Sequence, residues 1–398
     1  MANPNPLPET AQLETLLVHG GGLRSQHLET SEAIYMTSGY VYGSAAEAES
    51  AFANDGSRYV YSRYANPTIS MFEERLRLLE GAEACRSTAS GMAAVFAALA
   101  CQVKAGDRVV ASRALFGSCL HILNTFLPRW GVRTELVDGR DLEQWRRKLA
   151  EPVKAVFVET PSNPTLELVD LAEVARLTHQ AGGLLIVDNV FATPILQKPL
   201  ALGADIVVYS ATKHIDGQGR SLGGAILGSR DFLTKELSPF LRHTGPALSP
   251  FNAWLMVKGL ETLSLRVQQH CRNAAQVAAF LDGHPKVART LYPGLESHPQ
   301  HALARRQMTA GGNLVAFITA GGKAGAFRFQ DALRIIKISN NLGDAKSLIT
   351  HPATTTHQRL SAEDKKTLGI DEALVRLSVG LENADDLIED LDRALNAV

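Results

Sequence analysis

Leu184-Leu185-Ile186-Val187-Asp188-Asn189 and, further on, Asp205-Ile206-Val207-Val208-Tyr209-Ser210-Ala211-Thr212-Lys213 decide the fold. Each is a short continuous apolar run that ends in polar residues, without alternation of apolar and polar positions. Runs of this kind form strands buried on both faces, as in a parallel sheet covered by helices. Working outward, Arg108–Ser112, Thr134–Val137, Ala155–Glu159 and Gly224–Leu227 read the same way. Amphipathic stretches at Cys119–Trp130, Asp141–Ala150 and Leu171–Gln180 lie between them, which is the alternation of an α/β protein. Upstream, Ile69–Leu79 has a helical pattern, and Ser90-Gly91 starts an Ala-rich helix to Val103. Downstream, a long helical stretch, Phe251–Leu281, leads to a smaller α/β region with strands Asn313–Ile318 and Leu374–Val379 and a last helix Ala384–Leu395. The expected organisation is an N-terminal arm over 1–62, a ligand-binding domain over 63–256 and a C-terminal domain over 257–398. The arm has no clear periodicity and reads as a segment that packs on another surface.

The chain has 398 residues, more than one ordinary domain holds. Its 40 lysines and arginines against 41 acidic residues leave it near neutral, with no block of like charge. It makes no case for nucleic acid or an anionic membrane as partner. No apolar run is long enough to cross a bilayer, and the N-terminus lacks a basic stretch followed by an apolar one. Cys85, Cys101, Cys119 and Cys271 are scattered without CxxC spacing, which suits reduced thiols in a cytoplasmic protein. His298 with His301, and His351 with His357, have spacings a metal could use. No cysteine or carboxylate joins them, so no metal is expected. Gly217-Gln218-Gly219 is a fragment of a glycine-rich pattern with no helix close behind, which argues against a dinucleotide fingerprint.

In open α/β sheets ligands bind beyond the carboxyl ends of the strands. Asp188, Ser210 and the turn Glu159-Thr160-Pro161-Ser162-Asn163-Pro164 all stand at such ends. A lysine amine such as Lys213 forms a Schiff base with an aldehyde once it gives up its proton. A carboxylate such as Asp188 keeps a pyridine nitrogen protonated, and the hydroxyls of Ser210 and Thr212 bind a phosphate. Together these are the groups that pyridoxal 5′-phosphate (PLP) needs. Ser90-Gly91-Met92 opens a helix whose unpaired N–H groups suit an anion, although a serine there is equally an ordinary N-cap. Tyr61 and Arg63 offer a phenol and a planar guanidinium to the same phosphate; without a ligand they are a surface loop. Arg376 sits inside the apolar strand Val375–Val379, where it is costly unless it meets an anion, so it is a candidate clamp for a substrate carboxylate. The plain alternative is an edge strand with its arginine in solvent. A non-catalytic binding protein, or a dinucleotide enzyme on a similar sheet, are the readings of a different class.

The ordered motifs resemble a known family, the Cys/Met-metabolism PLP-dependent enzymes typified by cystathionine γ-synthase. The resemblance runs over nearly the whole chain. It rests on Tyr61-Ser62-Arg63 with Asn66-Pro67-Thr68, Ser90-Gly91-Met92, the Glu159–Pro164 turn, Asp188-Asn189, Ser210-Ala211-Thr212-Lys213, Ser347-Leu348-Ile349 and Arg376-Leu377-Ser378-Val379-Gly380. It implies the PLP-dependent transferase fold (aspartate aminotransferase-like, fold type I): a large, mostly parallel sheet domain and a smaller C-terminal α/β domain. It also implies covalent attachment of the cofactor to Lys213, a ring partner in Asp188, and phosphate contacts from Ser90, Gly91, Met92, Ser210 and Thr212. Asn163 is expected near a cofactor oxygen, and Arg376 with Ser347 at the substrate α-carboxylate. Tyr61 and Arg63 are expected to reach the phosphate of a neighbouring subunit, which makes the active form a homo-oligomer, a tetramer built from two dimers. The chain departs from the family in Ala114-Leu115-Phe116-Gly117-Ser118, where Phe116 keeps a stacking face but lacks the usual phenol. Asp344-Ala345-Lys346 before Ser347 resembles the sulfhydrylases of homoserine esters, with O-succinyl-L-homoserine and sulfide as the implied substrates. Use of cysteine as in cystathionine γ-synthase, or a γ-lyase reaction, are the alternatives.

Overall fold

The computed structural model describes residues 7–8, 10–53 and 58–398; the rest of the expected arm lies outside the described residues. In chain order the strands are β1 Ala84–Thr88, β2 Arg108–Ser112, β3 Arg133–Val137, β4 Ala155–Glu159, β5 Leu184–Asp188, β6 Ile206–Ser210 and β7 Gly224–Gly228. After them come β8 Val287–Leu291, β9 Leu314–Thr319, β10 Lys337–Ile338, β11 Leu348–Thr350 and β12 Leu374–Ser378. The contacts group into two units. The first holds the residues through Gln102, Val208–Asp216 and Arg220–Thr262; the second holds Val103–Val207, Gly217–Gly219 and Leu263–Val398. Strand β6 carries the chain from the second into the first.

In the first unit β1 pairs antiparallel with β7, Thr88 opposite Gly224. The helix Pro67–Glu80 is punctuated as its sequence dictates. Asn66 accepts the Thr68 N–H at 2.9 Å, Pro67 fills the first turn where no amide is needed, and Gly81 closes the end. Its buried face, including Ile69, Phe72, Leu76 and Leu79, packs beside Pro250–Glu261. Each such side chain contributes roughly 1.5–3 kcal/mol on burial. Arg75, fully buried, donates to the Gly20 and Val257 carbonyls and to Glu32 at 3.0 Å. That network, with the helix Leu13–His19 and its buried Leu17, seats the early residues on their own unit. The next stretch stays uncovered: Met36 is 67% exposed, Val41 89% and Phe52 65%.

In the second unit β3, β2, β4 and β5 form a parallel array in which Glu159 faces Asp188 in register. The helix Leu171–Gln180, capped by Asp170, buries Leu171, Val174, Ala175 and Leu177 in the core of this layer with Val156, Val158, Leu185 and Val187. A separate sheet runs β10-β11-β12-β9-β8. Its core of Val315, Phe317, Ile349, Val375 and Leu377 meets the inner faces of Leu263–Asp282 and Ala384–Leu395.

Two helices depart from expectation. Phe251–Leu281 is two helices, Pro250–Glu261 and Leu263–Asp282, because the β-branched Thr262 leaves helical geometry at φ −112, ψ 8. The stretch from Cys119 bulges into a π turn over Ile122–Phe126, just ahead of Pro128, which has no amide hydrogen to continue the ladder.

Candidate active site

The first unit builds a neutral cradle. Ser90 caps the helix Gly91–Ala100, its Oγ accepting the Ala93 N–H at 3.2 Å. A Cβ on Gly91 would lie 2.5 Å from the Ser210 Cβ and 2.8 Å from its Oγ, so only glycine lets this helix start abut the end of β6. Backbone N–H groups and a serine hydroxyl thereby converge, as a phosphate requires. Thr212 Oγ1 is held by Gly223, accepting its N–H at 3.1 Å and donating to its carbonyl at 3.3 Å. Lys213 follows in the turn, its N–H donating to the Ser210 carbonyl at 3.2 Å, and its side chain is half-buried. Elsewhere in the unit Arg63 donates to the Arg242 carbonyl and stacks over Tyr61 and Tyr64, its guanidinium carbon 5.3 and 4.9 Å from the ring centres. Tyr61 is 41% exposed. Arg63 and Arg242 line a cavity of about 90 Å³ with Glu73, Arg86 and Ser87.

The second unit gathers charge. Asp188 ends β5, and its Oδ1 accepts the Val190 N–H at 3.1 Å. Burial pushes the Asp188 carboxyl up to about 7, against that hydrogen bond, so a cation is needed to keep it ionised. Glu159, at the matching end of β4, is 2% exposed. Burial, and then the Asp188 charge, push it up to about 8, opposed by the Phe116 and Asn163 N–H groups and by Arg376. Arg376 is 1% exposed on β12, an inner strand between β11 and β9, so it is not an edge arginine reaching solvent. Its Nη1 donates to Asn163 Oδ1 at 2.9 Å and its Nη2 to the Asn340 carbonyl at 2.9 Å and the Asn341 carbonyl at 3.3 Å. Nε is buried and has no partner, a donor held ready for an anion. Burial draws this guanidinium down to about 10, so it is still charged at neutral pH.

The structure joins Asn163, Arg376, Phe116 and Asp188 around Glu159, a residue that the sequence had placed at a strand end and in the turn that follows, with no role of its own. Ser347 is joined to Glu382 instead, donating to Oε2 at 2.9 Å, and its Oγ accepts the Gly380 N–H at 2.8 Å. His357 was also missed. It is 1% exposed, with Nδ1 against Thr356 Oγ1 at 2.8 Å, and burial first and Arg376 second bring it down to about 4. The other histidines serve their loops: His351 bonds Thr354 and the Glu372 carbonyl, and His298 accepts the Gln300 N–H. Gly217 and Gly219 have φ of +68° and +67°, and a Cβ on either would strike Arg266 or Asp344, so these glycines serve a tight loop.

Each unit carries groups that pyridoxal phosphate uses: an anion cradle at Gly91 and the lysine Lys213 in the first, and a buried carboxyl that calls for a cation in the second. Comparison with known proteins agrees. The profile of a family described as "Cys/Met metabolism PLP-dependent enzyme" matches residues 14–396. A Mycobacterium tuberculosis protein named O-succinylhomoserine sulfhydrylase is 57% identical over 397 residues, covering 99% of this chain and 98% of its own. A Pseudomonas aeruginosa protein of the same name is 48% identical over 390 residues, covering 98% and 96%. The crystal structure of cystathionine γ-synthase from Xanthomonas oryzae pv. oryzae, in complex with aminoacrylate and cysteine, superposes with a TM-score of 0.93 at 34% identity, covering 97% of this chain and 98% of its own. The expected fold class therefore holds, and the chain belongs to the Cys/Met-metabolism family of PLP-dependent enzymes.

Proposed function

We propose that this enzyme replaces the succinyl group of O-succinyl-L-homoserine by sulfide, giving L-homocysteine and succinate as a step toward methionine. The observation that carries this reading is the 57% identity, over 99% of the chain, to a protein named for that activity. Pyridoxal phosphate, when bound, supplies an aldehyde carbon for the substrate amine and a ring that withdraws electrons from Cα. Lys213 holds that aldehyde until substrate arrives, and Ser90, Gly91, Met92, Ser210 and Thr212 take the phosphate. Asp188 keeps the ring nitrogen protonated, Phe116 covers the ring face and Asn163 lies at a ring oxygen. Arg376, through its unpartnered Nε, takes the substrate α-carboxylate, with the Ser347 segment beside it. Freed Lys213 would take the Cα proton, give it up to the carbon that had been the cofactor's aldehyde carbon and, with its lone pair free again, take a Cβ proton, because Phe116 has no hydroxyl to share that work. Succinate would leave Cγ with the C–O electron pair, hydrosulfide would add at Cγ, and Lys213 would return its proton to Cβ and then carry the other back to Cα.

Residues 63–256 serve as the cofactor-binding domain and 257–398 as the C-terminal domain in this reading. The exposed apolar side chains between Met36 and Phe52, and the exposed Tyr61, support a homotetramer of two dimers in which Tyr61 and Arg63 serve a neighbouring subunit's phosphate. Among the described residues no helix is long and apolar enough to cross a membrane, and four free cysteines suit a cytoplasmic enzyme. Steady-state rates decide the chemistry. O-succinylhomoserine with sulfide is expected to be the fastest combination. A much higher rate with cysteine would transfer the enzyme to cystathionine γ-synthase chemistry, and release of a keto acid without any thiol would make it a γ-lyase.

A further inference from the structure

Glu159 has no assigned part in that chemistry, yet each of its two carboxyl oxygens accepts a backbone N–H. It terminates a strand of four apolar residues, Ala155–Val158, and is buried without a salt bridge among the described residues. Burying a carboxyl is costly, and a neutral side chain could satisfy either of its neighbours alone. What an amide side chain cannot do is accept at both ends. Oε2 accepts the Phe116 N–H at 2.8 Å and Oε1 accepts the Asn163 N–H at 2.8 Å. A glutamine offers one acceptor oxygen and a donor amide, so one of the two N–H groups would face another donor.

Those two amides belong to segments with different duties. Phe116 stands at the start of the helix Gly117–His121. Asn163 lies in the turn after β4, and its Oδ1 receives Arg376 Nη1 at 2.9 Å. A continuous path therefore runs from the Phe116 backbone through Glu159 to Asn163 and on to the Arg376 guanidinium. We propose that Glu159 is a positioning residue that locks the Phe116 segment, which covers the cofactor ring, to the Asn163–Arg376 clamp, which takes the substrate carboxylate. The inference rests on the site reading above. Its consequence is that ring seating and carboxylate recognition are set together by one side chain that touches neither ligand.

The test uses the PLP-loaded enzyme and two readouts, the visible circular dichroism of the bound cofactor and the split between KM and kcat for O-succinylhomoserine. Glu159→Gln is expected to alter the visible dichroism and to raise KM about tenfold, the loss of one hydrogen bond in a charged network. The same variant should change kcat by less than about threefold, since no proton-transfer group is removed. Glu159→Asp keeps two acceptor oxygens on a shorter stem, so it should move both readouts in the same direction and by less; it also decides the matter if the glutamine variant does not fold. A folded variant of either kind with wild-type dichroism and wild-type KM overturns the proposal, as does one in which only a single readout moves. If the wild-type protein takes up no PLP and shows no visible band, the site reading itself has failed.

Discussion

Around Gly91 and Ser210 the first unit works with backbone N–H groups and small hydroxyls. Around Asp188 the second unit buries two carboxyls and a guanidinium, with hydrogen bonds at 2.8–3.3 Å holding them. The cradle is specified by shape, since one added methylene would fill it. The charged group is specified by balance, since its members are costly singly and tolerable together. Shape resists changes of pH and fails at steric substitutions. Balance tolerates small steric changes and fails when a charge is removed or titrated.

The hardest blow to the balance is removal of its cation. Arg376→Met fills much the same volume but leaves Asn163 Oδ1 and the Asn340 and Asn341 carbonyls without their donor. It also removes the positive charge that opposes the rise of Glu159. Urea denaturation is expected to show a loss of about 3–5 kcal/mol, the cost of breaking a buried charge group from one side. KM for O-succinylhomoserine should rise about a hundredfold or more as a charge-assisted carboxylate contact is lost. A stable variant with an unchanged KM would mean that the guanidinium is neither clamp nor counterion.

Titration is the gentler blow. In the cofactor-free protein Glu159 and Asp188 are raised from 4.5 and 3.8 to about 8 and about 7, so between those limits the folded state binds more protons than the unfolded chain. Their stabilising effect is complete below the unfolded values and is lost as pH rises through the folded ones, at about 1.4 kcal/mol per pH unit for each excess proton. Three buried histidines act in the other direction. His270, His298 and His357 are lowered from 6.5 to about 4, chiefly by burial, so stability grows as pH rises between those values. Above about pH 6.5 only the carboxyl pair remains in play among these groups. The cofactor-free protein should therefore lose stability between about pH 6.5 and pH 8, and Asp188→Asn should flatten that fall. PLP should flatten it too, by giving Asp188 its cation. Urea midpoints that stay level or climb across this window in the cofactor-free protein would remove the charge balance from the comparison.

Legibility in the sequence followed the same division. Strands β2, β4 and β5 were read to the residue, because a parallel strand buried on both faces is a bare apolar run with a polar end. Strand β1, Ala84-Cys85-Arg86-Ser87-Thr88, was not read, because its residues are small or polar and it is placed by antiparallel pairing to β7. Lys213, Asp188 and Arg376 stood out as charges beside or within apolar strands. Glu159 carried the same signal, at the end of Ala155–Val158, but its partners are two backbone amides, and no residue type announces those. His357 looked like any loop histidine because its burial comes from segments distant in sequence. The reading of Phe251–Leu281 as one helical stretch failed for a different reason: one β-branched residue interrupts a pattern that is otherwise helical on both sides.

The smallest effect separates two duties of a single residue in the cradle. Ser90 Oγ accepts the Ala93 N–H, which alone makes it a helix cap, and the same helix start is the proposed phosphate seat. Ser90→Ala removes the cap and should cost about 1 kcal/mol of stability in the cofactor-free protein. Ser90→Asp restores a side-chain acceptor and places a negative charge where the helix dipole welcomes one, so cofactor-free stability should match or exceed wild type. That same charge would sit where the phosphate belongs, and PLP affinity, followed by the visible band during equilibrium dialysis, should fall about tenfold or more. The two variants thus move stability and affinity in different orders: alanine weakens the fold more than aspartate does, and aspartate weakens cofactor binding more than alanine does. If aspartate at this position holds PLP as tightly as serine, Ser90 is a cap and nothing else, and the anion seat moves off this helix. If alanine costs as much affinity as aspartate, the hydroxyl itself grips the phosphate, and the cradle depends on a specific donor as well as on its shape.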